Sequence, residues 1–592
     1  MKGLKKMITL FNNKKSDYTI VLPRNHSLSQ QTASEELQKY FKIMGDVELK
    51  IVKDDIAATE KEIVLGQTNR DFKISSQEIS ELGDEGFIIK TVDEKLFIFG
   101  SDIRGTLYGV YTFLEKYCGC GFYADNCEKV PELEKLEINQ INNKEIPVFE
   151  FRNSNWKSVF PEDISAKLKI NAGPIRELTS RVGGNMSFTG QFEHTLGYLS
   201  GRCKEGEADW SQPCLSDPDI FNNVVASVRK MLKNNPDAKI ISISQNDGAG
   251  NYCRCPKCTA IADREEAYMG IMLDFVNRIA DVFKEEYPNV KFDTLSYRFT
   301  RKPPKYMKPR ENVLIRLCDI ENCFRHPISE CSIYPAHDDI KDVFMDDLKA
   351  WAKITDNLYI WTYTTNFTNY STLYPNYEVL LKNARTYAEN GIKGVFEQGN
   401  SESYNGEFGE LKGYILAKIL WDPYMSEEQY WKHIDEFLLG YYGKGGKYIR
   451  EYIKMALECS KDSHFGIYFD DSSRYIYVRD MENPLEGAKE FLRRGELLWA
   501  KAEEEAETEA ELSALGRSKI QLLNYKNFVL HKMLDVALEN EKAKLNEEII
   551  MNNKKHLEYM QKYDVTYNQE HNCIIGLKES DFSGYPLLWK VE

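Results

Sequence analysis

Between about residue 146 and residue 425 the chain alternates short apolar runs with segments of helical period, and this rhythm restricts its fold more than any other feature. The runs are Val148–Arg152, Asn185–Phe188, Ile240–Ser244, Lys291–Tyr297, Val313–Leu317, Leu358–Tyr363 and Gly394–Phe396. Helices are expected over Ile220–Lys233, Glu265–Glu286, Asp338–Ile354, Tyr377–Asn390 and Gly406–Leu420. Strands alternating with helices specify a parallel sheet with helices outside, most simply a (β/α)8-like TIM barrel. Only seven strand-like runs are found in this stretch, so the barrel is incomplete or one strand lies hidden.

The flanks read differently. Residues 18–135 form an expected α/β accessory domain, with strands at Tyr18–Leu22, Glu62–Leu65, Gly86–Lys90 and Lys95–Phe99. One helix carries Ala33, Leu37, Tyr40, Phe41 and Met44 on a single face and is expected to close at Gly45; a second runs Arg104–Glu115. Residues 1–17 read as an N-terminal extension. From about 426 to 592 strong helix formers are interleaved with charge, as in Arg494–Glu507, which reads as a helical C-terminal domain.

A net charge of -15 argues against nucleic acid as a partner, because phosphate binding needs clustered Lys and Arg. No apolar run approaches the roughly 18 to 20 residues that span a bilayer, so no membrane partner is expected. The basic start lacks a small-residue cleavage site, and the chain reads as cytoplasmic. Oligomeric state is not legible.

Chemistry sits where the apolar runs end. Lys239–Gly248 closes on Gln245, Asn246 and Asp247, and Gly394–Gly399 carries Glu397 at the same relative place. Two carboxylates at strand ends are what glycosidic hydrolysis requires, one to protonate the leaving oxygen and one to attack or activate water. Asp247 is expected as general acid in a pocket that excludes water, and Glu397 as nucleophile or base, with Glu402 and Asp319 as alternatives. This assignment requires residues 247 and 397 to converge on one cleft. Arg152, Asn155, Trp156, His194, Tyr297, Arg298, His326, Trp361, Tyr363 and Asn366 follow other strands and are expected to line a polar and aromatic sugar pocket. Arg152, Arg298 and Arg325 could instead bind a uronic acid carboxylate or hold the catalytic carboxylates.

Cys253-x-Cys255-x-x-Cys258 has metal-ligand spacing, and Cys214 is the conjectured fourth thiolate of a structural zinc site. Reduced packing thiols or a disulfide are the alternatives. No catalytic cofactor is expected, since no phosphate-binding glycine loop, serine nucleophile elbow or His-Glu-x-x-His occurs.

Three groups of residues carry a resemblance. Gly83–Ile89, Gly100–Glu115 and Cys118–Phe122 resemble the accessory domain that precedes the barrel in β-hexosaminidases and family 67 α-glucuronidases. Gln212–Pro218, Ser244–Gly248, Cys253–Cys258, Trp361–Tyr363, Gly394–Gly399 and Leu416–Pro423 resemble a large bacterial family catalogued as domain of unknown function 4838. The resemblance implies a glycosidase-like fold in a carbohydrate-processing context and no particular substrate. The leading expectation is an exo-acting glycoside hydrolase for short oligosaccharides or glycosides. The rivals are a non-catalytic carbohydrate-binding protein on the same scaffold and a uronic acid lyase or epimerase.

Overall fold

In a computed structural model of the chain, the described residues are 7–173, 176–186, 188–248, 250–334, 343–404, 406–468, 483–570 and 572–573. They fall into two compact units. The first holds the residues up to Val148 with Ser158–Asn171 and Ile175–Asn185; the second holds Phe149–Lys157, Ala172–Pro174 and everything from Met186.

The first unit is built on a six-stranded mixed sheet, in the order Asn142–Glu145, Phe87–Val92, Lys95–Gly100, Glu62–Leu65, Thr19–Leu22, Lys50–Lys53. Helices Leu28–Gly45 and Gly105–Cys118 bury the apolar stripes that their sequences predict. Gly45 does not close its helix: Asp46 takes the left-handed cap at φ 53°. The glycine serves packing instead, since a Cβ there would lie 2.5 Å from the Phe11 ring. Phe11 belongs to strand Ile8–Asn12, inside the expected extension, which pairs with Lys135–Ile138.

The second unit contains the parallel sheet. Its strands are β1 (Phe151–Asn155), β2 (Ile240–Ser242), β3 (Lys291–Ser296), β4 (Val313–Cys318), β5 (Leu358–Tyr363) and β6 (Gly394–Gln398). They run side by side in the order β1-β6-β5-β4-β3-β2. β6 pairs in parallel with both β5 and β1, so the last strand of the alternating region reaches the first with no strand between them. That leaves no place for an eighth strand after β6. Of the expected strand Asn185–Phe188, Ser187 lies outside the described residues, and Phe188 makes one parallel bridge to Ile240. The described residues therefore form a curled parallel sheet rather than a complete eight-stranded barrel.

Large side chains fill the inner face. The Arg316 guanidinium stacks 3.8 Å from the Phe192 ring centroid, 4.9 Å from Phe188 and 5.4 Å from Trp361, and pairs with Asp293 at 2.7 Å. Gly394 makes room for this packing, because a Cβ would lie 2.8 Å from both Phe151 and Tyr359. The outer face carries Ile315, Ile360 and Val395 into the core shared with the helices. The expected helix 265–286 is seen as Met269–Phe283, and a further helix that the sequence reading did not include, Pro256–Glu265, precedes it and ends where Glu266 adopts φ 52°. The expected helix 338–354 is seen as Phe344–Ala352, residues 338–342 being outside the described set. The helices after Trp421 lie in this same unit and are followed by a short hairpin at Tyr567–Gln569 and Asn572–Cys573. No helix of the described residues is long and apolar enough to cross a membrane.

Candidate active site

At the carboxyl edge of the parallel strands stands Asp247, whose side chain is 43% exposed. Its Oδ1 accepts from the Gly248 N–H at 2.7 Å and from the Tyr297 hydroxyl at 3.1 Å. Arg298 Nε donates in turn to Tyr297 Oη at 2.9 Å. His194 Nε2 lies 4.0 Å from the same Oδ1, while its Nδ1 sits 2.9 Å from the Gln245 carbonyl. A carbonyl only accepts, so Nδ1 carries the proton and Nε2 faces the carboxylate. Burial and the charge of Asp247 both push the Tyr297 hydroxyl upward, keeping it a donor. His194 and Arg298 hold φ 53° and 51°, left-handed conformations found among residues that the surrounding structure constrains.

The other two members of the Gln-Asn-Asp run are engaged elsewhere. Gln245 is tied to the Tyr297 carbonyl and the Thr300 hydroxyl. Asn246 accepts from Gly197 N–H and donates to the Ser211 carbonyl, which anchors the connection beside the strand end. Both are buried and position Asp247 without reaching the opening.

Glu397 is not brought to Asp247. Alternation along β6 puts Phe396 and Gln398 on the inner face, where Phe396 packs 4.7 Å from Trp361 and Gln398 Oε1 accepts from Trp361 Nε1 at 2.8 Å. Glu397 pairs in register with Thr362 and points outward, toward helix Tyr377–Glu389. Asp319 occupies the same layer and accepts from Thr362 Oγ1 at 2.8 Å and Tyr387 Oη at 3.0 Å. Both carboxyls are buried. Burial foremost, and then the neighbouring Asp319, pushes Glu397 up to about 8; burial likewise carries Asp319 to about 7 against its two hydrogen bonds. This is a sealed carboxyl pair behind the sheet.

Several expected pocket residues are packing elements. Arg152 faces outward, donates to the Phe149 carbonyl at 2.6 Å and stacks on Trp421. Trp156 is buried against Gly399 and donates to Thr364 Oγ1 at 3.0 Å. Asn155 is buried on the inner face next to it. Asn366 caps a turn through Thr368 N–H. Arg325 is bound by Ser460, Glu378 and the Leu457 carbonyl. His326 lies in that same loop, its Nε2 against the Lys461 carbonyl. Trp361 and Tyr363 remain on the inner face below the opening, with ring centroids 6.3 Å apart.

The helical region adds two residues that sequence reasoning did not find. Glu570 Oε1 accepts from Gln398 Nε2 at 3.1 Å, and its strand is held at the opening by Tyr370 N–H bonding the Asn568 carbonyl at 2.7 Å. Tyr468 has its hydroxyl raised by burial, then by the charges of Glu570 and Asp247, with Arg298 acting the other way. Glu402 lies next to Ser403, whose Oγ accepts from the Tyr567 N–H of the hairpin at 3.3 Å. No local pattern marks these residues; only their place in the tertiary structure does.

The four cysteines meet. Their sulfurs lie within 4.8 Å of one another, with Cys214 Sγ 3.8 Å from Cys255 and 3.9 Å from Cys258. Cys255 caps helix Pro256–Glu265, and the Cys258 backbone N–H foremost draws its thiol down to about 7.

The family model described as "Domain of unknown function (DUF4838)" matches residues 122–454, and that described as "Glycosyl hydrolase family 67 N-terminus" matches residues 9–113. No curated protein sequence matches the chain. Among solved structures, the family GH115 4-O-methyl-alpha-glucuronidase BtGH115A is 12% identical with a TM-score of 0.60, covering 99% of this chain and 80% of that one. A GH138 enzyme targeting pectin rhamnogalacturonan II is 9% identical with a TM-score of 0.48, covering 96% and 97%. A family 89 glycoside hydrolase from Clostridium perfringens is 10% identical with a TM-score of 0.49, covering 89% and 65%. The first of these likenesses is one of fold.

Proposed function

The chain belongs to the family described as Domain of unknown function (DUF4838), and from that premise we propose that it is a glycoside hydrolase acting at the carboxyl edge of its parallel sheet. The observation that carries this reading is the exposed Asp247 carboxylate with Tyr297, Arg298 and His194 converging on it. Oδ1 is occupied by two donors, so Oδ2 is the oxygen left for substrate. A carboxylate with one oxygen fixed by two donors and the other turned to the opening is placed to attack the anomeric carbon or to activate water. Asp247 is therefore assigned the nucleophile or base role, a change from the acid role that its sequence context suggests. The second carboxylate, here the proton donor, is assigned to Glu570, held by Gln398, in place of Glu397, which the sequence suggests as nucleophile or base; Glu402 is the second choice. Among the described residues Arg298 uses only Nε on Tyr297, and its remaining N–H groups suit the carboxylate of an acidic sugar.

The test is a panel of neutral and uronic acid aryl glycosides and short oligosaccharides. Asp247→Asn is expected to lose at least about a hundredfold in kcat, within the range that acid-base and covalent groups contribute. Wild-type turnover by Asp247→Asn would refute the assignment; sugar binding by calorimetry with no turnover of any glycoside by the wild type would favour the non-catalytic reading. A second reading has its own support: a tyrosine and a histidine beside an arginine fit proton removal next to a uronate carboxylate. Ultraviolet absorbance from an unsaturated product, in place of simple reducing-sugar release, would favour such a lyase.

The four-cysteine cluster is proposed as a structural zinc site. Four thiolates leave no open coordination position, and the cluster ties the connection carrying Cys214 to the loop that follows Asp247.

A further inference from the structure

The loop after β4 and the segment after helix Gly446–Cys459 are joined by a main-chain hydrogen bond, Phe324 N–H donating to the Phe465 carbonyl at 2.9 Å. Beside this junction Cys323, His326, Cys331 and His464 each offer one ligand atom, and these atoms all lie within 4.8 Å of one another. Cys323 Sγ is 3.5 Å from His326 Nδ1, and Cys331 Sγ is 3.5 Å from His464 Nδ1. The two imidazole rings are 4.4 Å apart, centroid to centroid.

The tautomer of His326 follows from its other nitrogen. Nε2 lies 2.8 Å from the Lys461 carbonyl oxygen, which can only accept, so Nε2 carries the proton and the lone pair of the neutral ring is on Nδ1. That lone pair faces the cysteines. A carbonyl behind the far nitrogen is the partner that orients metal-ligating histidines and raises their basicity.

We propose that Cys323, His326, Cys331 and His464 bind a zinc ion, in a site separate from the four-cysteine cluster. Two thiolates and two neutral imidazoles balance the charge of a divalent ion and match its tetrahedral preference. All four positions are filled by protein, so the ion is structural. It cross-links residues 323–331 to His464, and the loop from Asp319 to Tyr334 contains no helix or strand of its own. The clipped segment continues to Ile467, whose carbonyl accepts from Phe367 N–H at 2.8 Å, and the Phe367 ring packs 5.8 Å from Tyr363, below the opening. The ion thus holds in register a segment that borders the candidate active site. The assignment stands on the ligand geometry and does not depend on the hydrolase reading.

The experiment measures zinc per full-length chain by elemental analysis, after zinc loading under reducing conditions and dialysis against a moderate chelator. Wild type is expected to keep about two equivalents, Cys255→Ser/Cys258→Ser about one, and Cys323→Ser/Cys331→Ser about one. His464 is exposed, so His464→Ala should fold as judged by circular dichroism and still give up about one equivalent. Cobalt(II) loading supplies an independent signature, because the visible absorption of the two-thiolate, two-imidazole site should vanish in His464→Ala. A folded His464→Ala protein that keeps wild-type zinc and cobalt absorption overturns the proposal. So does a wild type whose bound zinc is lost entirely in Cys255→Ser/Cys258→Ser, or one whose peptide map contains a Cys323–Cys331 disulfide.

Discussion

Glu397 and Gln398 are neighbours on one strand and serve opposite faces of the sheet: Gln398 meets Trp361 and Glu570 on the inner side, whereas Glu397 is sealed with Asp319 behind Thr362. A shift of one residue therefore separates a group at the opening from one that no substrate reaches.

Glu397→Gln should accordingly leave kcat within about threefold of wild type, since an amide mimics the protonated carboxyl that burial favours. The same activity panel checks this against Asp247→Asn. A loss of a hundredfold or more in Glu397→Gln would restore Glu397 to the reacting centre.

The pair also sets a pH dependence of stability. The folded-state value of Glu397, about 8, lies above the ordinary carboxylate value of 4.5, so between these limits the native state holds a proton that the unfolded state has released. Stability must then fall as pH rises through that window, and Asp319, at about 7, adds the same sign over most of it. A tenfold difference in proton affinity between the folded and unfolded chain corresponds to about 1.4 kcal/mol, so the fall is on the order of a few kcal/mol. Thermal melts from pH 5 to 8 should show Tm dropping, with a shallower slope in Glu397→Gln.

Tyr297→Phe removes a hydrogen bond to Asp247 and leaves the ring in place. Turnover should fall roughly tenfold, the cost of one charge-assisted hydrogen bond. Turnover by Tyr297→Phe within twofold of wild type would separate Tyr297 from the chemistry.

Arg316 and Asp293 form a buried pair on the inner face. Asp293→Ala strands the guanidinium and should cost about 3–5 kcal/mol, read by urea unfolding, whereas Asp293→Leu with Arg316→Met should cost much less. Equal losses in both proteins would contradict the pair's role.

If the four-cysteine cluster carries zinc as proposed, removing it with a strong chelator should lower Tm and expose the connection from Leu196 to Cys258 to protease, with the first unit unaffected. A melt unchanged by chelation, in a protein shown to have carried zinc, would refute a structural ion there.

The amino-acid sequence by itself determined the strand-helix rhythm, the accessory domain and the placement of Asp247 at a strand end, because these follow from local periodicity and from where apolar runs stop. It also named the four clustered cysteines, three from their spacing close in the chain and Cys214 as a conjectured fourth. It could not assign Glu397 to a face: Val395 and Phe396 are both apolar and both buried, so the alternation that would reveal the phase of β6 is absent from its residues. The direct pairing of β6 with β1, the arrival of Glu570 at Gln398, and the meeting of His464 with Cys323 were decided by tertiary structure alone. Each joins segments far apart in the chain, and such joins are selected by packing and main-chain pairing, which no short window of sequence encodes.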